Sequence, residues 1–189
     1  MARAGPIATC LAVLVALMCG LTAMAQPGPS SRTLDTLFER LKTATDPGAI
    51  EALEAAIWDE WVTLREPELA GLMADGIRRL QRRDFAGAIA SFDRLIERAP
   101  HLSEAWNKRA TAHWLNSDHE ASVRDIAETL KREPRHFGAL SGLGMIYAER
   151  GQYEAAIRAW EAALLHNPHM AGVREQLDKA RALAGAGKT

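Results

Sequence analysis

The side chains best suited to chemistry in this 189-residue sequence are six histidines, at positions 101, 113, 119, 136, 166 and 169, and five tryptophans. His166 and His169 stand three apart near the end of a helical pattern and could share a metal ion. No carboxylate or thiol joins them at ligand spacing, so no metal site is expected. Gly138-Ala139-Leu140-Ser141-Gly142 has its serine displaced from the centre of a nucleophile elbow and lies in mid-helix rather than between a strand and a helix. The tail, Ala182 to Thr189, ends like a phosphate-binding loop. Alanine stands at 182 where the first glycine belongs, and a helical pattern rather than a strand precedes it. Neither a catalytic set nor a cofactor site is therefore expected. With 23 basic residues against 24 acidic ones, the net charge of -1 gives no field that would gather phosphate backbones, so nucleic acid is not an expected partner.

The elements that carry these residues begin after a distinct N-terminal stretch. Arg3 precedes the uncharged run Ile7 to Ala25, which closes on Ala23-Met24-Ala25, small residues at the positions a signal peptidase reads. Residues 1–25 are expected to be a signal peptide cleaved before Gln26, and residues 26–32 a flexible leader. The alternative is an uncleaved anchor through residues 7–25, about long enough to cross a bilayer. Cys10 and Cys19 both fall in this segment, so the exported chain would hold no thiol. The remainder, in a chain 48% hydrophobic and 25% charged, has ordinary globular composition.

A 34-residue period organises most of it. Pro100, Pro134 and Pro168 keep that interval, as do Phe92, Ile126 and Trp160, then Ala88, Ser122 and Ala156, then Gly76, Ala110 and Gly144. Each unit contains two helical patterns. In the third, Leu140, Leu143, Gly144 and Tyr147 share one face, and Tyr153, Ala156, Ile157, Trp160 and Leu164 share another, with a break at Arg150-Gly151-Gln152. The small column of the first helix is expected to approach the Ala88, Ser122 or Ala156 column of the second. Proline then ends the pair.

These residues resemble the tetratricopeptide repeat family. Unit three, residues 137–170, carries its signature as Leu140, Leu143, Gly144 and Tyr147, followed by Gly151, Tyr153, Ala156, Trp160, Ala163 and Pro168. Unit one (69–102) and unit two (103–136) match less fully: Arg79 and His113 stand in the tyrosine column, and Thr129 in a small one. The resemblance implies an all-α, right-handed superhelical solenoid of antiparallel helix pairs. Residues 171–185 read as a capping helix with Val173, Leu177 and Ala180 on its inner face, and 186–189 as a tail. Upstream, residues 33–66 read as a degenerate helix pair packed on unit one. Leu34, Leu37, Phe38 and Leu41 stripe its first helix, and Asp46-Pro47 opens a second bearing Leu53, Ile57, Trp58 and Trp61. Trp58 and Trp61 are expected to pack.

The resemblance also implies a function, since the first helices of such repeats line a concave groove for a peptide. On this sequence the expected groove residues are Met73, Ile77, Glu104, Asn107, Lys108, Thr111, Trp114, Ser141 and Met145. Family members that clamp an acidic C-terminus use basic and amide side chains at set columns. Here Met73, Ile77, Gly138 and Gly142 occupy four of them and leave Lys108 alone, so that clamp is not expected. The expected partner is an apolar or amphipathic segment of another cell-envelope protein, held by a non-catalytic periplasmic scaffold. Membrane contact would run only through an uncleaved N-terminal segment. The alternative is a homo-oligomer whose groove receives the N-terminal segment of its own or a neighbouring chain. Asp75 and Arg109, both at the seventh position of their units, are expected to meet as an inter-repeat ion pair.

Overall fold

Helix boundaries in this chain are set by local chemistry that itself recurs. The computed structural model describes residues 29–186, and within them the chain is helical, from α1 (Pro29–Thr43) and α2 (Pro47–Val62) to three repeat pairs and a last helix. The pairs are α3 (Pro67–Gln81) with α4 (Phe85–Arg98), α5 (Ser103–Leu115) with α6 (His119–Arg132), and α7 (Phe137–Glu149) with α8 (Tyr153–His166). Helix α9 spans Ala171–Ala186. The expected signal peptide lies outside the described residues, as do residues 26–28 of the leader and 187–189 of the tail. Residues 29–32, read as leader, are instead the first turn of α1.

Each turn inside a pair places one residue in the left-handed region, Arg83, Ser117 and Gly151, and these too stand 34 apart. Only the last is glycine, so the first two positions each accept a strain of about 1 kcal/mol to turn the chain. Asp84 and Asp118 then cap α4 and α6, accepting from Gly87 N (3.0 Å) and Ala121 N (3.0 Å). Asp46 caps α2 in the same way, with Pro47 at the first helical position. Pro100, Pro134 and Pro168 each lie two residues beyond a helix end.

The seam within each pair differs in one respect from the expected one. The Ala88, Ser122 and Ala156 columns are buried, but the small residues of the first helix lie against the large column. A Cβ on Gly76 would collide with the Phe92 ring, and one on Gly144 with the Trp160 indole. Aromatic bulk sixteen residues downstream, not small-on-small contact, is what these glycines accommodate. The resulting core is divided into clusters, two of which meet at Leu130, and it ends in α9, where Val173, Leu177 and Ala180 pack with Leu140, Trp160 and Ala163.

The N-terminal hairpin is placed differently from the expectation. Only its end, Val62 with Leu64 of the following loop, joins the core of unit one. The rest folds back over units two and three. Phe38, Leu41, Leu53, Ile57 and Trp61 form a core with Phe137 at the start of α7 and with Met170. Glu54, which stands 34 residues before Ala88, accepts from Asn167 Nδ2 (2.6 Å) and so ties α2 to the turn beyond α8. The hairpin's aromatic rings find their partners at His136, Phe137 and His166.

Candidate binding groove

Small side chains on facing helices open a cavity of about 220 Å³ between α5 and α7. Ala110, Gly138, Ala139 and Gly142 leave the space, while Ile126, Ile146, Met145, Met170 and Trp114 give it apolar walls. Asn107, Thr111 and Ser141 supply its hydrogen-bonding groups. A Cβ on Gly142 would meet only Ile126 Cδ1, at 3.9 Å, so that position faces the cavity rather than a packed seam. The Trp114 indole donates through Nε1 to Glu149 Oε2 (3.1 Å), which ties α5 to α7 at one end. A second cavity of about 460 Å³ lies between α2, α7 and α9 and is bounded by Glu54, Trp58, Asn167 and His169.

Five of the nine expected groove residues, Asn107, Thr111, Trp114, Ser141 and Met145, surround the first cavity. The other four do not face it. Met73 is buried and Ile77 packs beside it in the core of unit one, where the end of α2 covers them. Glu104 is fully buried and Lys108 is drawn onto it, Nζ to Oε1 at 2.9 Å, with the ammonium 5.4 Å over the Trp58 ring. The α2 helix thus closes this end of the concave face, and the N-terminal segment occupies part of the groove while leaving the α5–α7 cavity open.

Beneath α2, Glu104, Asn107 and His136 form a buried polar cluster, while Trp61 Nε1 is buried without a hydrogen-bond partner. Asn107 Nδ2 donates to Glu104 Oε2 (2.8 Å), and His136 Nε2 lies 2.8 Å from the same oxygen. His136 Nδ1 accepts from Ala139 N (3.1 Å) to cap α7, so the ring proton resides on Nε2 and is donated to Glu104. Burial pushes the Glu104 carboxyl up, but the hydrogen bond from His136 and the Lys108 ammonium outweigh it and hold the group below the ordinary carboxylate range. Trp61 stacks on His136, centroids 4.0 Å apart and planes at 10°. Trp58 sits edge-on to both Trp61 and Phe137, and its Cη2 lies where Gly138 offers only hydrogen. Both tryptophans pack. His136 is a structural centre of this interface.

The expected pairing of Asp75 with Arg109 does not form. Asp75 accepts from Ser91 Oγ (2.6 Å), Arg79 Nε (2.7 Å) and Arg78 Nη2 (2.5 Å). Hydrogen bonds from Ser91, then Arg79, hold its carboxyl down at about 2. Arg109 takes Asp125 in a bidentate pair (2.7 Å each) and reaches Asp93 of the preceding pair (2.6 Å). The seventh position of a unit points at the second helix of its own pair, sixteen residues on, not at the next first helix. The tie between repeats runs through Asp93 instead. Arg109 and Arg132 both lie over Trp106, at 4.9 and 4.5 Å.

Sequence reasoning did not assign Trp58 and Met170 to the cleft. Neither has a groove position in the repeat register, because one comes from the hairpin and the other from the turn between α8 and α9. Their apolar type was the only local sign.

Paired helices at a fixed period around an apolar cleft define an all-α repeat solenoid. The chain belongs to the tetratricopeptide repeat family, whose model matches residues 74–128 and 116–169. It is 33% identical over 162 residues to a TPR repeat-containing protein of Rhizobium etli, covering 85% of this chain and 79% of the relative. Among solved structures, the Sgt2 TPR domain from Aspergillus fumigatus superposes with a TM-score of 0.61 at 21% identity, over 66% of this chain and 84% of that one. The first TPR of Spaghetti (RPAP3), bound to the HSP90 peptide SRMEEVD, superposes at 0.59 with 19% identity, over 62% and 94% of the respective chains.

Proposed function

We propose that this protein is a periplasmic adaptor that holds an apolar or amphipathic segment of another cell-envelope protein in the cavity between α5 and α7, without catalysis. The observation that carries the reading is that cavity: about 220 Å³, walled by Trp114, Ile126, Met145 and Ile146 and floored by glycine and alanine. The RPAP3 structure holds a peptide ending in acidic residues. Here the one basic side chain at a clamp column, Lys108, is committed to Glu104, which favours a ligand bound through apolar contact. Export is inferred from Arg3, the apolar run to Ala25 and Ala23-Met24-Ala25.

Two variants test the groove. Gly142→Leu fills the cavity from a position with room for the side chain, and Trp114→Ala removes an anchor, a change that costs about 2 kcal/mol of binding. Both should abolish recovery of the partner from envelope extract; Gly142→Leu should leave Tm near the parent value, and Trp114→Ala, which loses its packing on Ile126 and Ile146 and its bond to Glu149, should lower Tm less than a core truncation does. Trp160→Ala, in the packed seam, should cost roughly 3–5 kcal/mol of stability instead. Trp114→Ala lowering Tm as far as Trp160→Ala does, with partner recovery unchanged, would show Trp114 to be a packing residue and remove the groove assignment.

A further inference from the structure

The cavities along the groove form one cleft with a charge pattern. The α5–α7 cavity and the one beside α2 share Ser141, Met145 and Met170, and a third pocket, beyond α5, shares the Trp114 ring with the first. Among the described residues lining all three, the carboxylates are Glu54 at the α2 end and Glu149 at the Trp114 end, and none is a lysine or arginine. Both carboxylates are fixed through one oxygen, Glu54 by Asn167 Nδ2 (2.6 Å) and Glu149 by Trp114 Nε1 (3.1 Å). The cleft is therefore uncharged in the middle, with mostly apolar walls, and carries a carboxylate at each end, that of Glu149 lying 3.5 Å from His119 Nδ1.

Resting on the groove reading above, we propose that the occupant is an amphipathic segment whose middle presents a bulky apolar side chain to the α5–α7 cavity and whose two ends carry lysine or arginine. The small floor of the cavity leaves volume for one large side chain. The terminal carboxylates match cations spaced on either side of it and oppose an acid-ended segment, because Lys108 already neutralises Glu104 at 2.9 Å and offers no counter-charge. The same pattern sets the register of the segment across α7, from Trp114 towards Met170.

The test uses two synthetic helices with one leucine-and-phenylalanine core, one lysine-ended and one glutamate-ended, titrated into the protein by calorimetry at low and at physiological salt. The lysine-ended helix should bind at least about fivefold tighter at low salt, and the margin should shrink as salt rises. Glu149→Gln alone should narrow it, and Glu54→Gln with Glu149→Gln should erase it. The amide introduced by Glu54→Gln retains an oxygen for Asn167, and far-UV circular dichroism verifies the fold. Equal affinity of the two helices, both lost in Gly142→Leu, overturns the charge assignment and leaves the groove standing, as does tighter binding of the glutamate-ended helix. Binding of neither, or binding indifferent to Gly142→Leu, overturns the groove reading and this one with it.

Discussion

At the residue scale, the ion pairs show how charges are accommodated between the two helices of a repeat. Arg109 and Asp125 have side chains only 18% and 6% exposed, and the guanidinium meets the carboxylate through two parallel bonds while its third nitrogen takes Asp93. The pair contributes little net stability compared with two packed leucines, but Asp125 alone is a desolvated charge, whereas Arg109 would keep Asp93. Arg109→Leu should therefore cost about 3 kcal/mol by leaving Asp125 unpaired, and adding Asp125→Leu should recover most of that loss. Denaturant unfolding of the two single variants and the double variant measures the coupling. Strictly additive losses would mean that the two side chains act separately and that the bidentate contact has no energetic role.

At the element scale, the hairpin's attachment is sensitive to acid. His166 lies edge-on to Phe38 with its Nδ1 buried, and burial first, then the nearby charges of Lys42 and Arg135, push its pKa below the ordinary 6.5. Glu133 opposes that shift only in part. The unfolded chain thus takes up this proton before the folded one does. The stability tied to neutral His166 is complete above pH 6.5 and is lost as the pH falls through the lowered folded value. Hydrogen exchange should show α1 opening faster below that point while α7 and α8 stay protected, and His166→Phe should remove the trend. Unchanged protection of α1 in the wild-type protein on acidification would refute it. The repeat pairs were legible in the sequence because local periods, caps and the proline column each write the same register. The hairpin's docking was not, because it depends on Phe38, Trp58 and Trp61 meeting His136, Phe137 and His166 across a long span of chain, and no period marks such contacts. For the same reason the α5–α7 wall of the cleft could be read in advance and its α2 wall could not.

At the scale of the whole molecule, the proposed export bears on the N-terminus. Cleavage after Ala25 would leave Gln26, Pro27 and Gly28 ahead of α1, which starts at Pro29, so mass spectrometry of the native protein should find Gln26 first. An intact Met1 in the membrane fraction would replace the periplasmic reading with an anchored one. The fold-back has a mechanical consequence as well. A solenoid of stacked pairs behaves as a spring, extending when its ends are pulled, because each repeat touches only its neighbours. Here α1 is fastened directly to the far end of the coil: His169 Nε2 donates to Leu41 O (2.8 Å), Asp35 meets Arg135 (2.5 Å), and Phe38 lies against Phe137 and His166. Tension applied between α1 and α9 enters unit three through this clasp and bypasses units one and two. Pulled from α1 and α9, the coil should be stiff until the clasp slips and compliant afterwards, with two spring constants on either side of that rupture.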